Sequence, residues 1–253
     1  MPDALLDVRD LTVRYGAVTA VEGVDLTVKT GELVGVIGPN GAGKTSFIDA
    51  VTGFTPATGR ATFHGRELLG LATYQRARRG LGRTFQSGEL FEDLTVRENL
   101  VIAAERPRWW SLLRDLVRPD RDAASTAVES ILDSTGLADV AQRMPSELSQ
   151  GLRKVVGVAR SLMAQPDLLL LDEPAAGLDS AESRVLGNRL RRLVDGGLSA
   201  VLIDHDVDLV LAICDRIYVF DFGKVIACGP PAQVRADPLV IEAYLGRGAV
   251  HGR

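Results

Sequence analysis

The run Gly38-Pro39-Asn40-Gly41-Ala42-Gly43-Lys44-Thr45, followed by Ser46, has the residue types needed to hold the phosphates of a nucleotide. Glycine lets successive backbone N–H groups converge on an anion, where side chains would block the approach. Lys44 brings a full positive charge to the β and γ phosphates, and the neighbouring Thr45 hydroxyl is placed to ligate magnesium. A helix opening at Lys44 adds the partial positive charge of its N-terminus. Far downstream, the apolar run Leu168-Leu169-Leu170-Leu171 ends in Asp172, Glu173 and Pro174. Two carboxylates at a strand exit can both turn towards the phosphates. Asp172 would hold magnesium through water, and Glu173 would polarise the water that attacks.

Such groups need a scaffold that brings a glycine loop and a strand end together. Residues 32–37 read as a buried strand and 38–43 as the loop, and a helix from Lys44 buries Phe47, Ile48 and Val51. Between residues 5 and 28 short apolar runs alternate, with Val24, Leu26 and Val28 facing one way, before a turn at Thr30-Gly31. This predicts an antiparallel β region. From about 87 to 165 the pattern is helical, with Val128, Ile131, Leu132 and Thr135 at helical spacing. After Pro166 come strands over 168–171 and 200–203, a hairpin over 217–227 turning at Asp221-Phe222-Gly223, and a closing helix over 234–245. The expected fold class is α/β, a P-loop NTPase core with an antiparallel β subdomain and an inserted helical lobe. Residues 1–86 and 166–253 would form the nucleotide-binding core, and 87–165 the lobe.

The 253 residues, 46% hydrophobic and 25% charged, can bury one substantial core, or a core plus a smaller lobe. A net charge of -4 gives no basic excess for wrapping nucleic acid, so no nucleic-acid partner is expected. Cys214 and Cys228 stand outside any metal-ligand or CxxC spacing and read as free thiols in a reducing compartment. Asp3, Asp7 and Asp10 occupy the stretch where a signal peptide would be basic and then apolar. No apolar run reaches the length of a membrane span. The expected location is cytoplasmic, with any membrane role exercised through a partner.

With both sites placed, the chain resembles ABC ATPases over essentially its whole length. The specific marker is Leu148-Ser149-Gln150-Gly151-Leu152, which opens a helix carrying Val155, Val156, Ala159, Leu162 and Met163 on one face. Ser149 can cap that helix, and its hydroxyl with the N–H groups around Gly151 forms a second anion site. In this family that site grips the γ-phosphate of ATP bound to the opposite subunit, so the resemblance implies a head-to-tail dimer. The usual family pattern is Leu-Ser-Gly-Gly-Gln, from which Gln150 and Leu152 depart while Ser149 and Gly151 remain. The resemblance further implies that Tyr15 stacks on adenine, that Gln86 senses magnesium and the attacking water, that Asp179 lies in the inter-subunit loop, and that His205 contacts the γ-phosphate. Glu173, His205 and Gln86 then form the expected catalytic set, Thr45, Gln86 and Asp172 the metal set, with ATP and Mg2+ bound.

Three stretches resemble one branch of the family more closely: Arg83-Thr84-Phe85-Gln86, the segment 94–100, and the end from Asp221 through Gly246. They are similar to the ATP-binding subunits of branched-chain amino acid importers and their urea or amide relatives. ATPases of lipopolysaccharide export share much of the same pattern. Membership of this branch implies two membrane permease subunits, a second related ATPase chain or a second copy of this one, and indirectly an extracytoplasmic solute-binding protein. The chain would then sit at the cytoplasmic face of the membrane. Residues 106–121 combine Trp109, Trp110, Leu112, Leu113, Leu116 and Val117 with several arginines. As a basic amphipathic helix this segment would suit a permease loop or the headgroup layer, or would pack the lobe. A soluble ABC ATPase without a permease and a switching nucleotide-binding module stay open as alternatives. Glu173 argues against the second, since switching alone does not need that carboxylate.

Overall fold

The uninterrupted apolar runs of the sequence form the strands of a sheet covered on both faces. In the computed structural model, which describes residues 4–84, 90–104 and 121–245, this sheet holds six strands. They are β3 (Leu33–Ile37), β6 (Leu81–Arg83), β7 (Leu168–Asp172), β8 (Ser199–Ile203), β9 (Arg216–Asp221) and β10 (Lys224–Gly229), in the order β10-β9-β3-β8-β7-β6. All neighbours are parallel except the β9/β10 hairpin. Burial alternates with the two-residue period of a strand. Val34, Val36, Leu168, Leu170, Val201 and Ile203 enter one core, and Leu33, Leu169, Leu171, Ala200 and Leu202 the other.

The first core is closed by an antiparallel sheet of β1 (Ala4–Tyr15), β2 (Val18–Lys29), β4 (Thr58–Phe63) and β5 (Arg66–Glu67), in the order β2-β1-β4-β5. Its inward side chains, among them Leu6, Leu11, Leu26 and Phe63, meet the parallel sheet around helix α1 (Lys44–Thr52). The antiparallel region predicted over 5–28 is therefore present as the β1/β2 hairpin. Strands β4 to β6 and the short helix α2 (Thr73–Arg78) went unread, because their stretch is largely polar and exposed and carries little periodic signal.

Helices α3 (Val96–Ala104), α4 (Arg121–Thr135) and α5 (Gln150–Leu162) lie between β6 and β7 in the chain. Val96, Leu100, Val128, Leu132, Val155 and Ala159 share one continuous cluster with Leu169 and Leu171. Helices α6 (Ser180–Asp195) and α7 (Val207–Ile213) complete this side. Gly35 in β3 admits α7 closely: a Cβ there would lie 2.4 Å from the Val210 side chain.

The closing helix expected over 234–245 is instead two, α8 (Pro231–Ala236) and α9 (Pro238–Leu245). Asp237 between them is extended, with ψ 122, as the ring of Pro238 demands of the residue before it. No helix among the described residues is long and apolar enough to cross a membrane.

Candidate active site

Three neighbouring parallel strands deliver the chemistry to one edge. Val36 pairs with Ile203 and Ile203 with Asp172, so the C-terminal ends of β3, β8 and β7 stand side by side. Gly38, His205 and Glu173 each follow within two residues. In open α/β sheets ligands bind in the crevice beyond the carboxyl ends of the strands.

The phosphate loop is braced from both sheets. Gly223, in the β9/β10 turn, donates its N–H to the Ala42 carbonyl at 3.0 Å, while its own carbonyl accepts from Glu22 in β2 at 2.8 Å. Gly43 has φ 98, and a Cβ there would fall 2.3 Å from the Ala20 carbonyl oxygen. At Gly38 a Cβ would fall 2.2 Å from the Phe220 carbonyl oxygen. Glycine is thus required at both positions by contact as well as by backbone angle. Pro39 accepts from Ala42 at 3.1 Å, and Asn40 and Gly41 form the exposed crown of the turn. Lys44 is buried and folds back to donate to the carbonyls of Gly38 (2.6 Å) and Pro39 (3.0 Å). Its ammonium is thereby held inside the loop's own curve. The Thr45 side is exposed and Ser46 half-buried, both in the first turn of α1.

Asp172 is buried, and Arg83 holds one of its oxygens: Nη2 donates to Oδ2 at 2.8 Å. The same guanidinium donates through Nη1 to Asp49 at 2.6 Å, tying β6 and β7 to α1. Thr84 adds a hydroxyl that accepts the Asp172 N–H at 3.2 Å. The other carboxylate oxygen, Oδ1, is buried without a hydrogen-bond partner. A buried oxygen of this kind fits a bound magnesium or its water, since Mg2+ characteristically takes one or two carboxylates together with phosphate oxygens. Arg83 was legible only as part of a family-like stretch, and its ion pairs were not foreseen.

Glu173 is half-buried and takes a left-handed backbone conformation, φ 48, uncommon for a residue with a side chain. Its N–H donates to the Ile203 carbonyl at 2.7 Å, and its carbonyl accepts from Ala176 at 3.1 Å. Opposite it, Asp204 is fully buried, with Oδ2 accepting from Ala175 N–H and Oδ1 from Asp206 N–H, each at 3.0 Å. Burial pushes the Asp204 carboxyl above the usual range, and these backbone donors pull it back. The exposed His205 ring brings Nδ1 to 3.5 Å from Asp204 Oδ1. Asp206 caps α7 by accepting from Leu209 and takes the Ser183 hydroxyl of α6 at 2.6 Å. Of the two acids flanking the exposed His205, Asp204 is fully buried and Asp206 half-buried.

The remaining predicted residues lie elsewhere. Tyr15, at the end of β1, is half exposed, with its hydroxyl 3.2 Å from the Thr55 hydroxyl. Ser149 caps α5 as predicted, accepting the Leu152 N–H at 3.3 Å. The Gly151 N–H, expected to form the second anion site, donates to the Glu182 carboxylate of α6 at 3.1 Å. Asp179 caps α6, accepting from Ala181 and Glu182 at 2.8 Å each. Signature helix and Asp179 loop are therefore joined through the first turn of α6. Gln86, Trp109 and Trp110 lie outside the described residues.

The sequence matches the ABC transporter family over residues 21–176, and residues 224–250 match the family described as branched-chain amino acid ATP-binding cassette transporter. It is 40% identical over 97% of its length, and 99% of the relative's, to the high-affinity branched-chain amino acid transport ATP-binding protein LivG of Salmonella typhimurium. It is 39% identical, over the same shares, to the corresponding protein BraF of Pseudomonas aeruginosa. Among solved structures, the ADP conformation of MJ1267, an ATP-binding cassette of an ABC transporter, superposes with a TM-score of 0.84 at 30% identity, covering 96% of this chain and 99% of that one. A glycine loop, an adjacent acid pair and a capped signature helix on this sheet, together with these matches, make the chain a member of the ABC transporter ATPase family.

Proposed function

We propose that this ATPase powers uptake of branched-chain amino acids or closely related small solutes, with Glu173 as the base of its hydrolytic step. The support for the base is one observation: the strained, half-buried Glu173 stands beside Asp172 at the end of β7, with only β8 between it and the strand that leads into the phosphate loop. In this reading the backbone of residues 38–43, Lys44, Thr45 and Ser46 hold the phosphates, and Tyr15 carries the adenine. Thr45, Asp172 and Gln86 would hold Mg2+, which would supply positive charge beside the phosphates. Glu173 orients a water in line with the γ-phosphorus and takes its proton as the new P–O bond forms and the bond to ADP breaks. His205 Nε2 meets the γ-phosphate oxygens. Ser149, Gly151 and Asp179 serve the nucleotide of an opposing subunit, so that closure buries two ATP molecules.

We assign residues 87–165 as the helical lobe of this motor and 1–86 with 166–253 as its nucleotide-binding core. Two permease subunits, a sister ATPase or second copy, and indirectly an extracytoplasmic binding protein complete the system at the cytoplasmic face of the membrane. The solute assignment is supported by 40% identity to LivG along nearly the whole chain and by the family match at residues 224–250.

Glu173→Gln is expected to keep ATP binding and to slow hydrolysis by roughly two orders of magnitude or more. Hydrolysis at the parent rate would remove Glu173 from the role of base. For the transport assignment, the tagged chain is purified from its native membrane and the bound polypeptides are identified. Two multi-span permeases with a second ATPase are the expected companions, whereas ribosomes or DNA would overturn it.

A further inference from the structure

We propose that Asp204 is a positioning residue for hydrolysis, its buried carboxylate holding the Glu173 turn and the His205 turn in register. This inference rests on the roles given above to Glu173 and His205. It begins from strain. Glu173 keeps a left-handed conformation that a side chain disfavours, and such a conformation persists only where its surroundings over-determine it.

Two supports are visible. Upstream, the Glu173 N–H is fixed to the Ile203 carbonyl at the end of β8. Downstream, the Ala175 N–H is fixed to Asp204 Oδ2, one residue further along the same strand exit. The turn bearing Glu173 is therefore pinned to β8 on both sides of the strained residue.

The other carboxylate oxygen works on the second turn. Oδ1 accepts from Asp206 N–H and lies 3.5 Å from His205 Nδ1, so it sets both the backbone that carries the imidazole and the ring edge that faces inward. Nε2 is the edge left for a phosphate oxygen. One side chain thus spans the base on β7 and the imidazole on β8, whose separation decides whether both can address the same phosphorus. A buried carboxylate is costly unless its lone pairs are filled, and here backbone donors fill them from two directions. Asparagine has the same shape but only one accepting oxygen, so Asp204→Asn must sacrifice one of the two backbone bonds.

The test compares Asp204→Asn with the parent and with Glu173→Gln, each as the full chain purified with its membrane partners. ATP affinity, thermal midpoint and the single-turnover hydrolysis rate per bound nucleotide are measured. Positioning predicts a fall in that rate of about 10- to 100-fold, the scale of a small misplacement of a catalytic group, with ATP affinity changed less than about twofold. A merely structural role predicts a lower thermal midpoint and weaker binding, with the rate per bound nucleotide unchanged. That result, or a variant indistinguishable from the parent, overturns the proposal. Asp204→Ala, which loses both bonds, is expected to fall at least as far. Should it fail to fold, the isosteric Asp204→Asn decides alone. If Glu173→Gln hydrolyses like the parent, the error lies in the base assignment. If Glu173→Gln is inactive and Asp204→Asn is not slowed, only the present inference fails.

Discussion

Arg83 shows how one side chain can serve stability and chemistry together. Its guanidinium neutralises Asp172 and Asp49, and its side chain is only 10% exposed against 6% for that of Asp172. Removing one partner of a buried pair leaves the other charge uncompensated, which typically costs about 3 kcal/mol or more. Arg83→Ala is therefore expected to lower unfolding stability by about 3 kcal/mol in urea titrations, by that reasoning. A loss under about 1 kcal/mol, the scale of an exposed pair, would mean that Asp172 does not depend on it. The pair also orients Asp172 so that Oδ1, the partnerless oxygen, is the one available to a cation. Glu173, next in the chain, is tied through its N–H to the Ile203 carbonyl at the end of β8.

At the scale of elements, the C-terminal helix is coupled to the phosphate loop in a way its sequence does not announce. α9 packs against α7 and α8 around an apolar groove of about 380 Å³ whose lining includes Ile37, Val207, Val240 and Tyr244. Ile37 immediately precedes Gly38. The Tyr244 hydroxyl is buried without a hydrogen bond of good geometry, and burial pushes its phenol up to about 12, against a weaker downward pull from the Gly38 N–H. An unfolded chain loses this proton near pH 10, while the folded chain keeps it to about 12, so stability falls as pH rises across that interval. Tyr244→Phe is expected to flatten that alkaline loss in unfolding midpoints recorded from pH 9 to 12, by the same linkage. Equal slopes for parent and variant would show that α9 is not the source.

Across the whole molecule, the phosphate loop is held between two sheets, with β2 and the β9/β10 turn meeting at Gly223. The signature helix α5 and the Asp179 cap both attach to the first turn of α6, where Glu182 accepts from Gly151 and donates its N–H to Asp179. If Gly151 serves the nucleotide of an opposing subunit, as proposed, that contact must displace Glu182 from its N–H. The Glu173→Gln chain with Mg-ATP is expected to sediment at twice its 27.1 kDa mass and to return to that mass in ADP. Unchanged ATP binding at the single-chain mass would instead assign the opposing half-site to a sister ATPase.

The phosphate loop and the acid pair were legible in the sequence because each is local, a glycine pattern and an apolar run ending in carboxylates; residues 148–152 read locally as a capped amphipathic helix, and as a signature only through the family resemblance. The parallel strands were legible for the same reason, as runs such as 168–171 in which every residue is apolar. Short polar elements such as β4 and β5 were not, and the break between α8 and α9 follows from the backbone restriction that Pro238 places on Asp237. What only the tertiary structure decided are the contacts between distant strands and loops: Arg83 on Asp172, Gly223 on Ala42, Asp204 on Ala175, Glu182 on Gly151. Residue type and spacing determine what a group is able to do. Which partner it meets depends on strand order and on the packing that brings remote backbone to within 3 Å or so, and no local pattern carries that distance.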